Sequence, residues 1–117
     1  MIITKIKDVI SGKCEIKNKR SSKWPTIRKK FLVQNSKCAV CNGKDKLEVH
    51  HISPFHISPE LELDPSNLIT LCESKKKGLT CHLLIGHLGS YKKINKDVIE
   101  DCSIWNKKLN PSMDQDF

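Results

Sequence analysis

The chain has 117 residues, room for one small domain with a modest core, and only 38% of them are hydrophobic and 5% aromatic. Burial alone is a weak source of stability at that size, so the six cysteines are candidates to supplement it. A formal net charge of +8 points to a polyanionic partner, and no stretch has the length and apolarity of a membrane span.

The charge is unevenly spread. Residues 1–47 hold 13 Lys/Arg against 3 Asp/Glu, whereas residues 48–117 hold 8 against 10. These basic residues do not line one face of an amphipathic helix, which favours nucleic acid over a membrane surface. Lysines and an aspartate interrupt the apolar residues of "MIITKIKDVI", so no signal peptide is read there. The expected setting is reducing and cytoplasmic, where cysteine pairs more often bind metal than form disulfides.

In chain order, residues 1–22 read as a basic N-terminal arm containing "SGKCEIKNKRSSK". A helix then starts in "SSKWPTIRKKFLVQN", with Ser22 as cap, Pro25 in the first turn and Trp24, Ile27, Phe31 and Leu32 on an apolar stripe. Arg28, Lys29 and Lys30 fall off that stripe and are open to phosphates. Asn42-Gly43 turns the chain before a strand at Leu47–Ile52. "SPFHISPELELDPSN" carries three prolines and reads as an irregular loop with a solvated His56. Leu68–Leu71 reads as a second strand closed by Cys72. "CHLLIGHLG" reads as a short helix ending near Gly86 or Gly89. Asn95 is placed to cap a last helix over Lys96–Leu109, with Val98, Cys102, Trp105 and Leu109 at helical spacing and Asn110-Pro111 as its stop. Residues 111–117 form a tail.

Cys38-Ala-Val-Cys41 has the two-residue spacing with which two thiolates grip one zinc ion from a tight turn. Cys72 and Cys81 are the natural second pair, although eight residues, "ESKKKGLT", separate them. Cys14 and Cys102 remain as ordinary free thiols. Histidines 50 and 51 are adjacent in a strand, so their side chains leave on opposite faces.

The succession "LEVHHI", "LDPSNLITLC" and "CHLLIGH" after "CAVC" resembles the HNH (ββα-metal) endonuclease family, over about Trp24 to His87. The resemblance extends to its small bacterial and phage members. It implies an α+β fold: a small HNH ββα-metal core, with flanking helices and a structural Zn2+ on Cys38, Cys41, Cys72 and Cys81, over residues 23–110. It also implies one catalytic divalent ion (Mg2+, Mn2+, Ni2+ or Zn2+) on His50 and His82, His51 as general base, and Asn67 bracing the loop that aims His51. Some members carry a further ligand four residues after the helix histidine. Here His87 comes five after His82, about 140° around an ideal helix. It joins the site only if the helix breaks at Gly86; otherwise it is free to contact phosphate.

The expected function is metal-dependent hydrolysis of DNA phosphodiester bonds, the alternative being an inactive zinc-ribbon-like DNA-binding module that recruits a partner. Arg20, Lys23, Arg28, Lys29 and Lys30, with Lys75, Lys76 and Lys77 as a second patch, are the expected backbone contacts, and the protein is expected to be a monomer or weak dimer.

Overall fold

Leu47–His51, following the Asn42-Gly43 turn, forms β1 with Val49 and His50 buried. It pairs antiparallel with β2 (Leu68–Cys72), in a register that sets Leu47 opposite Cys72 and His50 opposite Ile69. Among the described residues this hairpin is the whole sheet. The computed structural model describes residues 19–75 and 80–111. Cys14, Lys76, Lys77 and most of the arm and tail lie outside them.

Helix α1 (Trp24–Gln34) precedes the hairpin and α2 (Val98–Leu109) follows it. Pro25 falls in the first turn of α1, where its missing N–H costs nothing. Ser22 is not the cap. Lys23 holds the cap position without a side-chain cap bond, and the Ser21 hydroxyl instead accepts from the Lys23 amide at 3.1 Å. The α1 stripe is only half-buried, with no residue of the helix fully inside.

The long hairpin loop is more ordered than its prolines suggest. It contains two single 3-10 turns, Pro59–Leu61 and Pro65–Asn67, each opening on a proline whose fixed φ suits a first helical position. Asp64 caps the second by accepting from the Ser66 amide.

The expected last helix begins later than Lys96. Asn95 is buried and acts two residues upstream, accepting from the Asp97 amide while its own NH2 donates to the Ile85 carbonyl and the Asp101 carboxylate. Glu100 and Asp101 in the first turn of α2 and Lys107 and Lys108 in the last complement the helix dipole. Val98 and Cys102 are buried, but Trp105 and Leu109 are 43% and 42% exposed, so the inner half alone of the expected stripe reaches the core.

That core is small and sulfur-rich. Its fully enclosed side chains are Leu71, Val98 and four cysteines, Cys38, Cys72, Cys81 and Cys102. Thiols occupy positions that aliphatic residues fill in larger domains, in keeping with the low apolar content. Burial pushes the Cys102 thiol up to about 12, leaving it a neutral packing group. Among the described residues, no helix is long and apolar enough to cross a membrane.

Candidate active site

The cysteine knuckle is built by backbone first. The Cys38 amide donates to the Gly43 carbonyl, the Asn42 amide to the Cys38 carbonyl, and Asn42 takes a left-handed φ of 63° that an asparagine tolerates. The Ala39 amide donates to the Thr70 carbonyl, which fixes the knuckle against β2. Helix α2 fastens it from the other side, with Asn106 Nδ2 donating to the Val40 carbonyl and Asn42 Oδ1, each at 2.9 Å.

Cys72 at the end of β2 and Cys81 beyond the long insert complete a group whose four sulfurs lie within 4.8 Å of one another. Zn–S bonds of about 2.3 Å in a tetrahedron require sulfurs roughly 3.8 Å apart. Cys41 and Cys72 Sγ are 3.8 Å apart. The Cys81 hydrogen bond holds Cys38 down to about 4, while that same bond pushes Cys81 up and burial pushes Cys41 up. Four crowded sulfurs cannot all ionise unaided, and a dication removes that conflict. The donor set therefore fits a zinc ion.

The second cluster lies at the other edge of the same elements. His50, His82 and His87 form a nearly equilateral triangle with ring centroids 4.8–5.0 Å apart, and one ligand nitrogen from each falls within 4.8 Å of the others. His50 Nδ1 and His82 Nε2 are separated by 3.1 Å. His82 Nδ1 faces the Glu73 carboxylate at 2.5 Å, and His87 Nδ1 donates to the Lys93 carbonyl at 2.9 Å. Because both acceptors take the Nδ1 proton, Nε2 of each ring keeps a lone pair for an ion. Burial, and then the neighbouring imidazoles, lower His50 to about 3, so it stays neutral as a ligand must.

His87 belongs to this triangle, contrary to the ideal-helix expectation. His82–Gly86 is a π-helical turn, whose wider i to i+5 closure returns the fifth residue to the face of the first. Gly86 makes that geometry possible. A β-carbon there would lie 3.0 Å from Leu71 Cδ1, 3.2 Å from His82 Cδ2 and 3.3 Å from His50 Cε1.

His51 leaves β1 on the other face, yet it and the triangle line one cleft of about 310 Å³ with Arg20, Phe55 and His56. His56 is exposed at its rim. His51 Nε2 donates to the Glu62 carbonyl at 2.9 Å, so Nδ1 carries the lone pair, and the ring leans on Trp24 at 4.5 Å. Burial lowers the His51 pKa, which keeps the ring neutral and able to accept a proton.

Asn67 is buried within the loop. Its Oδ1 accepts from the Ser53 amide at 2.8 Å, and its Nδ2 donates to the carbonyls of Ser53 and Leu61. Leu61 adjoins Glu62, so this amide ties the end of β1 to the carbonyl that aims His51.

Residues 38–87 match the family model described as HNH endonuclease. This segment is similar to an HNH domain. No curated protein and no solved structure matches the chain.

The basic residues around this segment are less uniform than their sequence implies. Arg20 reaches the cleft, stacks over Phe55 at 4.5 Å and pairs with the buried Glu62 at 3.4 Å. Arg28 pairs with Glu48 at 3.2 Å. Lys23, Lys29, Lys30 and Lys75 are exposed. Sequence reasoning marks Gly86 as the place where the helix would break, but passes over Glu73, Tyr91 and the Glu62 carbonyl. Tyr91 donates to both Glu73 oxygens at 2.7 and 2.9 Å, and that bond pushes the phenol up to about 12.

Proposed function

We propose that the protein is a metal-dependent endonuclease that hydrolyses DNA phosphodiester bonds, with zinc on the four cysteines as a structural element. What carries this reading is one juxtaposition: three converging imidazoles and a fourth, oppositely directed imidazole share a single cleft.

His50, His82 and His87 would hold a divalent ion. When bound there, it would supply Lewis-acid stabilisation of the phosphoryl and leaving oxygens. His51 Nδ1 accepts a proton from the attacking water as the new P–O bond forms and the P–O3′ bond breaks. The Glu62 carbonyl keeps its hydrogen bond to the opposite nitrogen throughout, and so favours the imidazolium that results. Asn67 preserves that alignment by fixing the loop. Arg20 presents a guanidinium at the cleft to a phosphate oxygen, and the exposed lysines of α1 contact flanking phosphates.

The deciding experiment is cleavage of supercoiled plasmid by the wild-type protein and His51→Ala in Mg2+, Mn2+, Ni2+ or Zn2+, before and after chelation, with duplex binding measured alongside. Metal-dependent cutting that disappears in His51→Ala is the expected result. Wild-type protein that binds duplex yet never cuts would instead be the recruiting module.

A further inference from the structure

A histidine that binds a metal through one nitrogen needs its other nitrogen held, or the ring rotates and changes tautomer. Two of the three imidazoles here have such holders, and the two differ in kind. His87 is held by a neutral backbone carbonyl, that of Lys93, and His82 by the carboxylate of Glu73. Glu73 is itself unusually constrained for a residue in an insert. Its amide donates to the Lys46 carbonyl at 2.8 Å, and both its oxygens accept from Tyr91. Tyr91 is brought back by a reversal at Leu88 and Gly89, with φ of 53° and 91°, which also delivers the Lys93 carbonyl to His87.

The chain makes this arrangement independent of the exposed cleft. Glu73 directly follows Cys72, and His82 directly follows Cys81. Each of these dipeptides therefore has one side chain in the sulfur cluster and the next in the carboxylate–imidazole pair. Whatever fixes the sulfurs fixes the spacing of Glu73 and His82.

We propose that Glu73, clamped by Tyr91, is the positioning residue of the three-histidine centre, setting the tautomer and direction of His82 without touching the ion. This rests on the reading that His50, His82 and His87 hold a divalent ion. A carboxylate in this role raises the basicity of the ligand it holds, and losing such a partner typically weakens metal binding about 10- to 100-fold.

The test uses the full chain with zinc retained, titrated with Co2+ and followed by calorimetry and by the visible spectrum of the bound ion. Zinc content and thermal melting are checked for every variant. Glu73→Gln is expected to weaken Co2+ binding about 10- to 100-fold. It should leave the spectrum that of a three-imidazole site and restore cleavage at saturating metal. Tyr91→Phe, a substitution at an exposed side chain, is expected to shift affinity a few-fold in the same direction, and it carries the test if Glu73→Gln fails to fold. Unchanged Co2+ affinity in the folded variants would overturn the role of Glu73 alone. A Glu73→Gln defect as complete as that of His82→Ala, with an altered spectrum, would make Glu73 a ligand and equally overturn the proposal. Wild-type protein that takes up no second ion would remove the three-histidine reading itself.

Discussion

The sulfur cluster and the imidazole cluster share two stretches of chain but not an environment. Cys38, Cys72 and Cys81 are between 0% and 2% exposed and sit among the core side chains, with all four donors supplied by the protein. The histidines contribute three donors at the rim of an open cleft, with a fourth imidazole beside them. A closed tetrahedral set fills the coordination sphere of its ion and leaves nothing to exchange, whereas a three-donor set leaves positions for water and phosphate. Burial and donor count thus divide one small hairpin-and-turn unit into a closed part and a part left open to exchange.

The largest effect should come from breaking the closed side. Cys38→Ser is expected to lose the equivalent of bound zinc and to unfold, since apparent zinc binding in small domains of this kind is worth about 10–16 kcal/mol. Zinc content and melting by circular dichroism check this, and unchanged values for both would dismantle the contrast.

On the open side, His51→Ala should retain fold, zinc, the second ion and DNA affinity while cleavage falls by about 10²–10⁴-fold. His50→Ala should behave differently, with activity lost at low metal and partly regained at high metal, because water can replace a ligand but not a placed base. Cleavage plotted against metal concentration for both variants separates the two roles. Wild-type rates in both would mean that neither histidine has the role given to it.

Gly86→Ala sits between the two sides. The added carbon presses on Leu71 and on two histidines at once, so a stability loss of about 1–3 kcal/mol is expected together with weaker second-ion binding. If melting falls while ion affinity holds, the π-helical turn serves packing only. The smallest effect concerns delivery of substrate to the open side. Lys29→Ala with Lys30→Ala should weaken binding to all duplexes alike and flatten the salt dependence by about 0.9 log units for each phosphate left without its lysine. An unchanged slope would place the duplex away from α1.

The parts legible in the sequence are those with short-range signals. The CxxC spacing singles out Cys38 and Cys41, strand alternation separates His50 from His51, and Asn-Gly marks the turn. His87 falls outside the site on a 3.6-residue period, whereas the backbone adopts a wider turn, and nothing in "HLLIG" announces that choice beyond its glycine. Glu73 and Tyr91, 18 residues apart, meet only through the tertiary fold and leave no periodic trace. The same holds for Asn95 and Asn106. Asn95 reads as a helix cap and Asn106 carries no signal, but they are the donors that attach α2 to the histidine turn and to the knuckle. Ser22 is displaced as a cap for a smaller reason, since its neighbour Ser21 makes the equivalent bond one position earlier.

Those two asparagines give α2 a consequence for the order of assembly. The bond from Asn106 to the Val40 carbonyl spans 66 residues. All four cysteines precede Asn106 in the chain, so the full sulfur donor set is made before the residue that fastens the last helix to Val40. The last helix comes after it as a splint, one end on Ile85 and the other on Val40. A chain cut before residue 98 would lack that splint, leaving Leu71 and the sulfurs of the core open on one side to proteases and to oxidants.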